Sequence, residues 1–390
     1  MEPKKKKIGL CISFLGTSYG MLLQAYATQY IIEKLGYNTE IIKFKSTIKR
    51  KIPFKIGTLT YFINRVIHRF RRKINHEILD EIHQQNEDLR LKVANEFRNN
   101  KLHNIITVKG DNELYKIGYK YDAVLVGSDQ VWLPSNLFSA YFSLRFVPNN
   151  ILKISYASSL GVSHYPWYYH AIAKDSWKRF DHISVREKEG GQIIKKICNN
   201  KVTVEVVADP TYLITKKEWE EIFPTEIIEK EKYVLCFILG NSTEQQLYVK
   251  NYAKANNLKL VSILSNESIS DIDTTFADRT IIGANHSELI NLIRGAEIIF
   301  TDSFHGVAFS VINEKQFYVF YRKHDDAKGK KNRNSRINNI LRTWQIENRL
   351  ISDLNYSIDY SNTIDYNIVT NLVMEFRKKS LEYLTKALPK

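Results

Sequence analysis

The chain has 390 residues, 44% hydrophobic and 25% charged, with a formal net charge of +15. That is the length of two ordinary domains in the composition of a globular protein, with no run approaching the ~20 apolar residues of a membrane-spanning helix. Cys11, Cys198 and Cys236 are odd in number and scattered, which excludes a disulfide framework and a metal spacing; buried thiols in a reducing cytoplasm are expected.

The N-terminal MEPKKKKIGLCISFLG has the outline of a secretory leader, but its apolar part is short, holds Ser13 and lacks a small-residue cleavage site. It reads as a lysine run before a first strand, KIGLCISFL. The helix GMLLQAYATQYIIEKLG closes at Gly36, and YNTEIIKF makes a second strand. From Lys43 to His76 there are eleven Lys or Arg residues and no Asp or Glu. Within that segment TYFINRVIHRFRRK gathers Phe62, Val66, Ile67 and Phe70 near one face of a helix and Arg65, Arg69 and Arg72 near another. Two readings stay open: a helix on an anionic membrane surface, through about Lys49 to Lys73, or a solvated basic face packed on its own domain. No nucleic-acid partner is expected, because no helix-turn-helix, RRM or zinc pattern accompanies the charge.

The alternation resumes with YDAVLVGSD, KISYASSLG, HISVREKE and VEVVADPT, apolar runs that end in Gly, Ser, Asp or Arg loops. Ligands of open α/β sheets bind at such carboxyl strand ends. The charged, helical stretch TKKEWEEIFPTEIIEKEK predicts a hinge. A second series follows: YVLCFILG, the helix TEQQLYVKNYAKANN, KLVSIL, the helix SELINLIRGA, EIIFTD, the helix GVAFSVINE and QFYVFY. The pattern predicts an α/β protein of two Rossmann-like domains with parallel sheets across a cleft. The N-terminal domain spans 1–212, with a basic helical insertion at about 45–105. The hinge spans 213–231 and the C-terminal domain 232–350, and a helix within 351–390 packs back on a domain. Lys323 to Asn334 predicts a mobile loop over the cleft.

Chemistry concentrates at strand ends. SFHG, Ser303 to Gly306, follows EIIFTD and precedes an apolar helix. A helix N-terminus there favours phosphate or carboxylate, Ser303 can donate a hydroxyl, and His305 can deliver a proton near neutral pH. A capping serine and a packing histidine would also fit the turn. Arg186 in HISVRE and Arg336 in NSRI add guanidinium forks for anions. GTSYGMLLQAYA lacks the GxGxxG spacing of dinucleotide sites, and GxxxxGK[ST] is absent. GSDQVW offers Asp129, Gln130 and an aromatic platform, Trp132, for sugar recognition; a capping turn with a core tryptophan is equally compatible. Asp209 reads as a turn and cap residue.

Taken in order, GxxxxYGxxLQAYA, GSDQVW, SYASSLG, ISVRE, ADPT, TDSFHG and SRI resemble the polysaccharide pyruvyl transferases, over about Ile8 to Arg349. The resemblance implies a GT-B-like fold and transfer of the enolpyruvyl unit of phosphoenolpyruvate to a sugar of a surface-polysaccharide or lipid-linked repeat unit. It further implies a cyclic ketal, release of phosphate, no metal and no cofactor beyond the donor substrate. By position, Arg186, Ser303, His305, Gly306 and Arg336 would bind the donor, with His305 as proton donor. Gly20, Asp129, Gln130 and Trp132 would line the acceptor side, with Asp129 as general base. A lipid-linked acceptor would bring the cytoplasmic enzyme to the inner face of the membrane. The sequence departs from the family pattern at Thr17-Ser18 and at Leu133, both on the presumed acceptor side. The competing readings are a nucleotide-sugar glycosyltransferase of the same fold, in which Asp302 would face Ser310 where a second acid is common, and a non-enzymatic membrane scaffold.

Overall fold

A computed structural model describes residues 5–46, 78–240, 242–264, 275–322, 334–355 and 359–390. The predicted basic membrane segment Lys49–Lys73 and nearly all of the predicted loop Lys323–Asn334 lie outside the described residues.

Strands β1 (Lys7–Cys11), β2 (Asn38–Lys45), β3 (Ile105–Lys109), β4 (Ala123–Val126), β5 (Leu152–Ser158), β6 (His182–Val185) and β7 (Glu205–Val206) form one sheet in the order β3-β2-β1-β4-β5-β6-β7. Strands β8 (Tyr233–Phe237), β9 (Lys259–Ile263), β10 (Arg279–Ile281), β11 (Ile298–Thr301), β12 (Phe317–Phe320) and β13 (Leu350–Ile351) form a second, ordered β10-β9-β8-β11-β12-β13. All their pairings are parallel. AVLV, IIFT and FYVF are buried along their whole length. A parallel strand covered by helices on both faces requires such continuous apolar runs. Each sheet has the doubly wound order, in which the chain reverses direction beside its first strand and opens a crevice at the carboxyl ends.

The helices are α1 (Tyr19–Lys34), α2 (Ile78–Lys101), α3 (Gly110–Ile117), α4 (His170–Trp177), α5 (Lys188–Ile197), α6 (Lys216–Ile222), α7 (Thr243–Ala255), α8 (His286–Gly295), α9 (Phe304–Ile312), α10 (Ser335–Thr343) and α11 (Tyr366–Ala387). Helix α11 returns to the first domain. Tyr383 donates to the Ser155 carbonyl at 2.8 Å, and Ser380 Oγ accepts from Ala208 N–H at 2.9 Å. The segment 213–231, expected to be helical, carries α6, fastened by a Thr215–Glu218 capping box. Its Trp219 is fully buried between Tyr26 of the first domain and Phe309 of the second, at ring separations of 6.1 and 5.2 Å. Ile351 belongs to β13, so the second sheet continues past 350. Helix α2 spans both halves: Arg98 donates to the Phe14 and Gly16 carbonyls at 3.1 and 2.8 Å, and Arg90 to those of Thr17 and Leu264 at 3.3 Å each. Two doubly wound domains with their carboxyl edges facing each other make the GT-B-like arrangement.

Candidate functional site

The carboxyl ends of the two sheets meet at His305. The α9 helix begins at Phe304, two residues earlier than the apolar pattern suggested, so His305 stands on its first turn rather than in a loop. Ser303 is the N-cap; its hydroxyl accepts from Gly306 N–H at 3.3 Å. That contact meets one of the helix's open donors. Gly306 packs against Thr301, where a Cβ would collide with the threonine hydroxyl. Both residues thus shape the turn and aim the histidine.

His305 points across the cleft onto the first turn of α1, where Gly20 leaves room for its ring. Its Nε2 lies 3.9 Å from Asp209 Oδ2 and has no hydrogen-bond partner among the described residues. Burial pushes the imidazole below its ordinary pKa, Asp209 pulls it back only in part, and Arg186 lowers it again. A buried ring of this kind is neutral near pH 7 until a further negative charge arrives.

Arg186 leaves the end of β6 and is almost wholly buried. Its Nη1 donates to Asp209 Oδ2 at 2.7 Å and its Nε to Glu187 Oε1 at 3.1 Å, while Nη2 sits 3.7 Å from Asp129 Oδ1. The guanidinium stacks over Phe304 at 4.1 Å from the ring centre. Burial alone would lower its pKa, but the Glu187, Asp209 and Asp129 carboxylates outweigh burial and hold it up. Asp209 is fully buried, and burial would raise it; Arg186 and His305 hold it below the ordinary carboxylate range. Its other oxygen accepts from Thr211 N–H and Oγ1 at 3.1 and 2.8 Å. It is therefore the cap residue read from the sequence and also the anchor of Arg186. That second role, and Glu187's, went unread.

Arg336, on the first turn of α10, reaches across from the second domain. Its two terminal nitrogens donate to the Gln130 side-chain oxygen at 2.9 Å each, with the amide oriented to accept. Burial and the nearby Arg186 bring it down to about 10. Further along α10, Asn339 donates to Glu189 of the first domain. Arg322, at the end of β12, pairs with Asp302 at 3.3 Å. An arginine at a strand end is the signal that flagged Arg186, and it would have flagged Arg322. Asp302 accepts from Leu239 and Gly240 N–H at 2.8 Å each, and Ser310 Oγ donates to the Gly306 carbonyl at 2.8 Å. Both are committed to structure.

Asp129 occupies a turn with a cis peptide between Gly127 and Ser128, and adopts a left-handed φ of +63°. Such a conformation is tolerated best by Gly, Asn and Asp. Its carboxylate is partly exposed beside Arg186. Trp132 departs from the expected sugar platform. It is 0% exposed, donates Nε1–H to the Phe142 carbonyl at 3.1 Å, and packs on Trp177 and Phe180. The reversal at Asp129 turns it into the core. The structure thus unites Arg186, Ser303, His305, Gly306, Arg336, Gly20, Asp129 and Gln130, adds Asp209 and Glu187, and removes Trp132.

Among the described residues no group of three or more His, Cys, Asp or Glu is arranged to hold a metal ion. Nor is any helix among them long and apolar enough to cross a membrane. What remains is a buried cluster of two guanidiniums and one imidazole, set among the Asp129, Glu187 and Asp209 carboxylates.

Solved structures with similar folds include UDP-GlcNAc 2-epimerase from Neisseria meningitidis bound to UDP-GlcNAc, at 12% identity over 98% of this chain and 94% of that one, TM-score 0.46. They also include the Methanocaldococcus jannaschii UDP-GlcNAc 2-epimerase, at 11% identity over 95% and 99%, TM-score 0.47. An alpha-glucosyltransferase in complex with UDP and DNA matches at 10% identity over 97% and 94%, TM-score 0.47. No curated protein matches the sequence. The family model for polysaccharide pyruvyl transferase matches residues 19–324, a span from the first turn of α1 past β12. The chain belongs to the polysaccharide pyruvyl transferase family.

Proposed function

We propose that this protein transfers the enolpyruvyl unit of phosphoenolpyruvate to a sugar of a surface-polysaccharide or lipid-linked repeat unit, forming a pyruvate ketal and releasing phosphate. One observation carries the reading. Arg186 Nη2, His305 Nε2 and Arg336 Nε are all buried and without hydrogen-bond partners among the described residues. Buried donors of this kind are costly unless a ligand satisfies them. A three-carbon molecule with a carboxylate at one end and a phosphate at the other matches two arginines and an imidazole.

In this reading the arginines hold the two anionic ends. The bound negative charge raises His305, which then takes up a proton. His305 delivers it to the donor methylene, making a methyl group and an electrophilic central carbon. A sugar hydroxyl adds to that carbon and gives its proton to a base; Asp129, partly exposed beside Arg186, is the base in this reading. The bond from carbon to the phosphate oxygen then breaks. A second hydroxyl closes the ketal, and its proton leaves with phosphate. Two hydroxyl protons are lost, one replacing that taken from His305 and one leaving with phosphate.

The test is phosphate release from phosphoenolpyruvate with a panel of lipid-linked and model glycosides, comparing wild type with His305→Ala. Acceptor-dependent release that the variant loses is expected. Absence of phosphoenolpyruvate binding by calorimetry, with a nucleotide sugar binding instead, would turn the assignment to a glycosyltransferase. The same reading has the enzyme work at the inner face of the cytoplasmic membrane, held by the basic segment. Neutralising Lys49–Lys73 is then expected to weaken binding to anionic liposomes, each basic residue near the surface contributing ~1 kcal/mol.

A further inference from the structure

Two loops leave the first sheet side by side at the carboxyl ends of β4 and β5. They are joined repeatedly: Ser159 N–H donates to the Asp129 carbonyl at 2.9 Å, and Trp132 N–H to the Ser159 carbonyl at 3.2 Å. Gly161, at φ +64°, packs on the Gln130 side chain. Farther out, Asn136 donates to the Gln130 carbonyl at 3.3 Å and Tyr165 donates to the Trp132 carbonyl at 3.4 Å. The ribbon ends in four aromatic rings. Phe138 meets Tyr169 at 5.1 Å, Tyr169 meets Tyr168 at 4.7 Å, and Tyr168 meets Trp167 at 5.9 Å. Trp167 is 79% exposed, Tyr168 60% and Phe138 43%.

Linked exposed rings on a soluble face signal a binding surface. This ledge continues directly from the turn that holds Asp129 and Gln130, on the edge of the sheet where the reacting groups gather. Its chemistry is mixed: ring faces with tyrosine hydroxyls and an indole N–H, plus the Arg145 guanidinium donating to the Phe138 carbonyl at 2.8 Å. The electron-rich ring face meets the partly positive C–H face of a pyranose, while the polar tips reach its hydroxyls. Trp and Tyr also lose little conformational freedom when they bind.

We infer that Phe138, Tyr169, Tyr168 and Trp167 form a saccharide subsite, which holds a pyranose of the acceptor outside the one that reacts. The inference rests on the pyruvyl-transfer reading for the word acceptor. The ring ledge itself binds sugar whether or not phosphoenolpyruvate is the donor. It takes the platform role that the sequence had suggested for Trp132, at a place where the rings are open.

The experiment uses the full-length protein without donor, titrated with glucose, galactose and N-acetylglucosamine tetrasaccharides. Tryptophan fluorescence and calorimetry are the readouts, and wild type is compared with Trp167→Ala, Tyr168→Ala and the double variant. Both residues are surface-exposed, so the variants are expected to fold. At least one tetrasaccharide is expected to bind wild type and to lose roughly tenfold or more in affinity in the double variant. Phosphoenolpyruvate affinity, read separately, is expected to stay unchanged. With an active acceptor the double variant is expected to raise the acceptor KM by a similar factor while kcat changes little. Equal binding by wild type and double variant overturns the inference, as does failure of every tetrasaccharide to bind wild type. If the double variant instead loses binding to anionic vesicles and keeps tetrasaccharide affinity, the ledge is a lipid contact and the inference falls. If sugar binding depends on the ledge but phosphoenolpyruvate does not bind, the subsite stands and the donor assignment fails.

Discussion

The His305 ring rests on Gly20. A Cβ built on that glycine would fall 2.6 Å from His305 Cε1, and closer still to Nδ1. The two residues come from opposite domains, so a missing side chain on α1 sets where the imidazole of α9 can stand. Gly20→Ala is expected to leave each domain folded, because alanine suits a helix better than glycine. It is expected to lower kcat about a hundredfold by displacing the ring on the order of 1 Å. Phosphate-release kinetics beside a thermal melt check both halves of the statement.

Asp209→Asn leaves Arg186 short of the carboxylate that it meets at 2.7 Å in full burial. Breaking such a pair costs about 3–5 kcal/mol, and chemical denaturation is expected to show a loss of that order. The pH sign follows from the direction of the shift. Asp209 is held below its ordinary value of 3.8, so its stabilisation is complete above that value and is lost as the pH falls through the folded one.

His286 supplies a second acid sensitivity. It is buried against Phe97 at 4.0 Å and Tyr19 at 5.3 Å, and burial, with Arg90 and Arg98 nearby, pushes it from 6.5 to about 3. The unfolded chain takes up the proton first, so this contribution is full above 6.5 and declines as the pH falls toward 3. Melting temperature measured from pH 7 down to about 4 is expected to fall less steeply in His286→Gln than in wild type.

Arg336→Gln removes a guanidinium from the cleft without touching Arg186. The donor KM is expected to rise about tenfold to a hundredfold, since a charged hydrogen bond contributes roughly 1.5–3 kcal/mol. Arg336→Lys is expected to recover little, because the contact with Gln130 uses both terminal nitrogens. Initial-rate kinetics over a range of donor concentrations separate the two variants.

Trp132→Ala tests the corrected role of that residue. A wholly buried tryptophan replaced by alanine costs about 3–5 kcal/mol. A lowered melting temperature is expected, with the acceptor KM of the folded fraction close to that of wild type.

The alternation of apolar runs and helical patterns exposed the two domains because parallel strands such as AVLV and IIFT must be apolar throughout. Arg186, His305 and Arg336 were legible for a related reason: each is a polar residue at a strand end or a helix start, where the fold opens a crevice. Asp209 was half legible. Its capping of Thr211 is local, whereas its hold on Arg186 depends on β6 lying beside β7. Trp132 was misread because the left-handed turn at Asp129 decides which way the following residues face. Gly20 was marked as a cleft residue, but its reason, the ring of His305, lies 285 positions away. The strands β10 and β13 are too short for a periodic signal.

The pocket's cations are divided between the halves. Arg186 and Asp209 follow strands of the first sheet, His305 and Arg336 stand on helices of the second domain, and burial together with Arg186 lowers both His305 and Arg336. Neither half alone holds the whole set. The first half sets three carboxylates around Arg186 and the second brings Arg336 across to Gln130 and Asn339 to Glu189, so the site is closed by bonds between the halves. A compound that wedged α10 from Gln130 and Glu189 would therefore silence the protein without touching any reacting atom.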